Sequence, residues 1–88
     1  MIDEKLKELG FIKQEESKHG AFYTKEIKED GYTHCLDILH KANGNHIIQS
    51  YQKGLNSDDF SNMVGLTYKE TKLALKKYRQ LKRKYKWK

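Results

Sequence analysis

Residues 32–53 read YTHCLDILHKANGNHIIQSYQK, two apolar-rich runs joined through Asn43-Gly44. How these two runs meet decides the fold. Asn-Gly at the centre of a two-residue loop suits a type I′ turn, where both residues need positive φ. A loop of that length pairs Ala42 with Asn45, His40 with Ile47, Ile38 with Gln49 and Leu36 with Tyr51. Tyr32 and His34 fall on the same side. The other side carries Cys35, Asp37, Leu39 and Lys41 opposite Gln52, Ser50, Ile48 and His46. The first side is the more apolar and is expected to face the core.

Two further β-rich runs lie upstream, FIKQEES (11–17) and AFYTKEI (21–27), with KHG between them and EDG after them. Ala21, Tyr23 and Ile27 alternate toward the core side, and Phe22 points the other way. Before the strands, MIDEKLKELG reads as a short helix. Ile2, Leu6 and Leu9 share one face, Asp3 caps it or sits in its first turn, and Gly10 ends it. Downstream, GLNSDDFSN is polar, and a short helical turn around 58–63 with Ser57 as cap is expected. Thr67 and Glu70 then form T-x-x-E, a capping box, at the start of a long periodic stretch. Tyr68, Thr71, Leu75, Tyr78, Leu81 (or Lys82) and Tyr85 recur every three to four residues and predict a tyrosine-rich apolar stripe. The expected order is α-β-β-β-β-α. The expected fold is a two-layer α+β domain over residues 1–88, with a four-stranded antiparallel meander packed against a long C-terminal helix.

A chain of 88 residues buries only roughly 60–65% of its unfolded surface, so it makes one modest core. It has no proline, and its one cysteine, Cys35, excludes a disulfide framework. The first residues are charged from Asp3 onward and carry no apolar signal-peptide core. No run approaches the roughly 20 apolar residues that span a bilayer. A cytoplasmic protein without membrane contact is expected. The net charge of +6 is unevenly placed. Residues 66–88 hold ten Lys and Arg against the single Glu70, while residues 1–31 hold eight acids against six lysines.

That segregation admits two readings of the last helix. In one, the stripe packs on the sheet and the lysines solvate the outer face while complementing the helix dipole. In the other, the cations meet phosphates: Lys69, Lys72, Lys76, Lys77, Arg79, Lys82, Arg83, Lys84 and Lys86, with Tyr85 and Trp87 stacking on exposed bases. A solvated helix ordinarily mixes Glu with Lys to form i,i+4 pairs, and here acids are nearly absent. The stretch DDFSNMVGLTYKETKLAL also has some features of a helix-turn-helix, with Phe60, Val64, Leu66 and Leu75 at apolar positions. Thr71 and Ser61 depart from that pattern. A membrane-surface helix is disfavoured, because the sheet needs the stripe for cover.

No catalytic or metal constellation emerges. The register above sends His40 and His46 to opposite faces, places Cys35 near Gln52, and sets Glu15 and Glu16 on opposite sides of one strand. The glycines are scattered at turns, with no phosphate loop. No enzyme, cofactor or metal is expected.

The arrangement Leu9-Gly10-Phe11, strands, then GLTYKE and KKY resembles small, mostly uncharacterised proteins encoded by phages and prophages of Gram-positive-type bacteria. The resemblance spans the chain and implies an accessory role, in phage DNA metabolism or in binding a host protein. It assigns no functional residue. The expected function is non-enzymatic binding of nucleic acid through the C-terminal helix. The alternative is a protein-interaction module that docks on an acidic partner surface, or a homo-oligomer, with the helix as scaffold.

Overall fold

The computed structural model describes residues 1–54 and 60–88, with only the backbone course given for residues 60–62. Helix α1 (Ile2–Glu8) leads into β1 (Ile12–Ser17) and β2 (Gly20–Ile27). A 3₁₀ turn (Lys28–Asp30) precedes β3 (Tyr32–Leu39), followed by β4 (Ile47–Gly54), β5 (Phe60–Met63) and α2 (Tyr68–Lys84). Strands pair in sequence order, all antiparallel. The expected four-stranded meander is present, and β5 adds a short fifth strand beyond β4. The expected helical turn at 58–63 is therefore corrected: residues 60–63 are strand, and Ser57 lies outside the described residues. The same strand removes the helix-turn-helix reading, which needs a helix there.

The β3–β4 register differs from the expected one by a single residue. Leu39 pairs with Ile47, Ile38 with Ile48, Leu36 with Ser50 and Cys35 with Tyr51. Residues 40–46 form the connection, which is longer than two residues. Lys41 O accepts from Gly44 N–H at 2.9 Å, and Asn43 Oδ1 accepts from Asn45 N–H at 3.0 Å. Only Gly44 takes positive φ there, at 85°, so Asn-Gly closes an ordinary turn with a left-handed exit. One residue of slip reverses every side chain of the partner strand. β3 keeps its predicted inner face of His34, Leu36 and Ile38. On β4, Ile48, Ser50 and Gln52 share that face, and Ile47, Gln49 and Tyr51 take the other.

The core lies between this face and the two helices. Leu6 of α1, Phe11, Ala21 and Tyr23, Leu36 and Ile38, Ala74 and Leu81, and Trp87 form one buried cluster. Each fully buried large side chain stabilises by roughly 1.5–3 kcal/mol. His34 also lies inside, edge-on to Phe11 at 5.0 Å, with Nε2 hydrogen-bonded to the Ser50 hydroxyl. Burial holds this imidazole below its ordinary pKa, which keeps it neutral. On β1, a bulge between Lys13 and Glu15 adds one residue. Lys13 then stands opposite Tyr23 and Glu16 opposite Ala21, so both point to the helix side. Without the bulge, residues 13 and 16 would face opposite sides of the sheet.

At Gly20 the backbone of β2 leaves no room for a side chain against β3. The Gly20 φ is 140°, and an added Cβ would lie 2.0 Å from the Ile38 carbonyl oxygen. Gly31 also has positive φ, 75°, but open space around it. Gly20→Ala is expected to cost about 3 kcal/mol or more, and Gly31→Ala about 1 kcal/mol, by equilibrium urea unfolding. Equal losses would contradict the close approach of Gly20 to β3.

Candidate functional site

The spacing along α2 separates an inner from an outer face. Glu70, Ala74, Lys77 and Leu81 are buried, with Leu73, Tyr78 and Tyr85 packed at their flanks. The expected stripe is thus correct at Tyr78, Leu81 and Tyr85 and wrong at its start. Tyr68 is 76% exposed and Leu75 38%, and Thr71 is exposed too. Two ionisable residues occupy the inner row instead, and each meets opposite charge there.

Lys77 is the centre of that arrangement. Its Nζ lies 2.7 Å from Glu16 Oε1 and 3.1 Å from Asp3 Oδ1, and it donates to Gln80 Oε1 at 2.8 Å. Glu16 Oε2 accepts from Lys84 Nζ at 2.7 Å and from the Tyr85 hydroxyl at 3.0 Å. Asp3 accepts from the Tyr23 hydroxyl at 2.5 Å and lies 3.0 Å from Lys13 Nζ. Asp3 therefore sits in the first turn of α1, with its carboxylate turned to this cluster instead of capping. Burial alone would raise the Glu16 carboxyl, but Lys77 and Lys84 outweigh it and hold the group well below the usual carboxylate range. Asp3 is lowered likewise, with burial opposed by Tyr23, Lys13 and Lys77.

A second pair fixes the helix start. Lys25 Nζ is 2.8 Å from Glu70 Oε2 and 4.6 Å above the Phe11 ring. Thr67 N–H donates to Glu70 Oε1 at 2.9 Å, and Glu70 N–H donates to Thr67 Oγ1 at 3.2 Å. This is the capping box that T-x-x-E predicts.

Trp87 fixes the other end. It is 6% exposed, and its indole N–H donates to the Lys18 carbonyl at 2.9 Å. The His40 ring stacks on it at 5.2 Å, with His46 also 5.2 Å away. His46 Nδ1 accepts from Lys41 N–H at 3.2 Å, so Nε2 carries the proton and donates to the Lys88 carbonyl at 2.9 Å. His40 and His46, expected on opposite faces, are 5.0 Å apart because both belong to the connection outside the strand ladder. Cys35 is buried opposite Tyr51, not Gln52, and burial pushes its thiol up.

The residues expected to meet nucleic acid therefore divide. Lys77 and Trp87 are buried, Tyr85 is half-buried with its hydroxyl on Glu16, and Lys84 is exposed but paired with Glu16. Trp87 thus packs in the core and Tyr85 packs against it. Lys69, Lys72, Lys76, Arg79 and Arg83 remain, all exposed and three or four residues apart on the face opposite the buried row. Lys82 and Lys86 are exposed beside them. None of the seven forms an ion pair with a described carboxylate. The five-residue row runs about 21 Å, at 1.5 Å per residue. Its inner edge opens on a cleft of about 320 Å³ between α1 and α2, floored by Leu9 and Leu73 and rimmed by Lys5, Lys69, Lys72, Lys76 and Glu8. Sequence reasoning did not find Lys5. Its only signal is its position one turn from Leu9 on the first helix.

Comparison with protein families, with curated proteins and with solved structures returns no match for this chain. Among the described residues, no helix is long and apolar enough to cross a membrane.

The cluster makes a pH-dependent contribution to stability. Glu16 has a folded pKa below its ordinary 4.5. Its stabilisation is complete above that value and is lost as pH falls through the folded pKa. Glu16→Gln is expected to cost about 3 kcal/mol at pH 7. The gap to the parent should narrow steadily below pH 4.5 in urea titrations. A gap that stays constant to pH 2.5 would contradict this role.

Proposed function

We propose that this chain is a small, non-enzymatic, cytoplasmic protein that binds nucleic acid through the outer face of α2. One observation carries the reading: five cations in register, with no described acid paired to them, opposite a face whose charges are matched. Asp3, Glu16 and Glu70 engage Lys77, Lys84 and Lys25, so the inner side is neutralised and the positive excess is concentrated outward. Side chains three and four residues apart stand about 5–6 Å from one another, a linear array suited to a phosphate chain. The resemblance to phage- and prophage-encoded proteins fits an accessory role of this kind.

A second reading has its own observation. Ile48, Met63 and Leu75 are among the exposed large apolar residues, and together with Val64, Leu66 and Ala74 they line a groove of about 380 Å³ between α2 and the β4–β5 edge. Lys72 and Arg79 flank Leu75 along the helix. An acidic partner segment with apolar anchors matches that chemistry. A second copy would bring two basic ridges together, which charge repulsion opposes.

Anisotropy titration of labelled single- and double-stranded DNA and RNA tests the first reading. With four or five phosphates engaged, log affinity for duplex should fall with log salt at a slope near about −4, on the order of 10²-fold between about 50 and about 200 mM. Lys72→Glu, Lys76→Glu and Arg79→Glu together should abolish binding. Lys18→Glu, Lys28→Glu and Lys41→Glu together lower the net charge equally from other surfaces and should largely retain it. Equal losses in the two triple variants would reduce the effect to overall charge. No binding by the parent would refute the reading and favour the acidic-segment groove.

A further inference from the structure

We infer that Tyr68 is a base-stacking residue and that the preferred ligand of the α2 face is single-stranded nucleic acid. This rests on the nucleic-acid reading above and names the strand form and the residue that selects it. Four other tyrosines of this chain are engaged by the fold. Tyr23 and Tyr85 donate to Asp3 and Glu16, Tyr78 packs beside Trp87 and His46, and Tyr51 is engaged at Cys35 and Asp37. Tyr68 differs. Among the described residues it is the most exposed large apolar side chain after Met1, at 76%, and its hydroxyl has no hydrogen-bond partner there.

The ring is nonetheless held in place. Tyr68 stands at the start of α2, next to a completed capping box, where its backbone is fixed. Lys72, one turn on, sets its ammonium 5.2 Å from the ring centroid. A cation over one face orients the ring and leaves the opposite face to solvent. Lys72 also belongs to the cationic row, with Lys69 adjacent to Tyr68 in sequence and Lys76 one turn beyond Lys72. Lys69 and Lys72 thus lie within about one turn of Tyr68, close enough for the phosphates that flank a stacked base. Duplex bases are already stacked on one another and offer no free π-face, so an aromatic at this place selects single strands. Trp87 is buried in the core, and Tyr85 is half-buried with its hydroxyl held by Glu16.

The test compares strands of equal phosphate count. Affinities are measured for a ten-nucleotide thymidine strand, for an abasic strand of the same length and for a duplex, with the parent chain, Tyr68→Ala and Tyr68→Phe. The side chain is exposed, so Tyr68→Ala should unfold in urea within error of the parent. The parent should prefer the thymidine strand. Tyr68→Ala should weaken that binding roughly 5- to 100-fold, leave abasic and duplex binding unchanged, and keep the salt slope, since no phosphate contact is lost. Tyr68→Phe should retain affinity. Equal affinity of the parent for thymidine and abasic strands, or an unchanged Tyr68→Ala, overturns the stacking role and leaves the cationic row standing alone. If no strand or duplex binds, both readings fall together.

Discussion

One ammonium group organises the packing of this protein. Lys77 comes from the middle of α2 and reaches Glu16 on β1 and Asp3 on α1, while Tyr23 on β2 donates to the same Asp3. Four elements thus converge on two carboxylates. Removing charges from water is costly, and such a group is tolerated only when its partners are close and its hydrogen bonds are met. Both conditions hold here: Lys77 is 2% exposed, and among the described residues no buried side-chain polar atom lacks a partner. The apolar cluster supplies most of the driving force for collapse. The ion cluster adds direction, since greasy contact alone would accept several rotations of α2 about its own axis.

That rotation determines which charges reach solvent. Because Glu70 and Lys77 turn inward, Lys69, Lys72, Lys76, Arg79 and Arg83 turn outward as a set. Asp3 and Glu16 are drawn beneath the helix, so its inner side is charge-matched while its outer side carries the unpaired cations. The bulge on β1 is part of this device. It places Lys13 and Glu16 on one face of a strand that would otherwise separate them.

Much of this was legible in the sequence. Leu6 on its helix face and the alternation of Ala21 with Tyr23 announced the core, and Thr67 with Glu70 announced the start of α2. The β3–β4 register was not legible, because Asn43-Gly44 signals a turn without fixing how many residues the connection holds. The inward face of α2 was missed for a different reason. A hydrophobicity pattern selects Tyr68 and Leu75 and passes over Lys77, whereas burial followed the location of opposite charge. The excess of acid in residues 1–31 hinted at such a match but did not say which lysine would be taken. Trp87 read as a tail residue, and only the approach of residues 40–46 and the Lys18 carbonyl made a pocket for it. Tyr68 entered the outer surface through the same rotation.

The contact between Asp3 and Lys77 joins residues 74 apart in sequence, while each strand of the meander pairs with its neighbour along the chain. Closing a loop of that length is entropically dearer than forming a hairpin, so the sheet is expected to assemble ahead of the helix–helix contact. Interactions made after the rate-limiting barrier act on the reverse reaction. An ion cluster formed after that barrier would set how long a folded molecule persists more than how quickly one forms, with lifetime governed by a different part of the chain from speed.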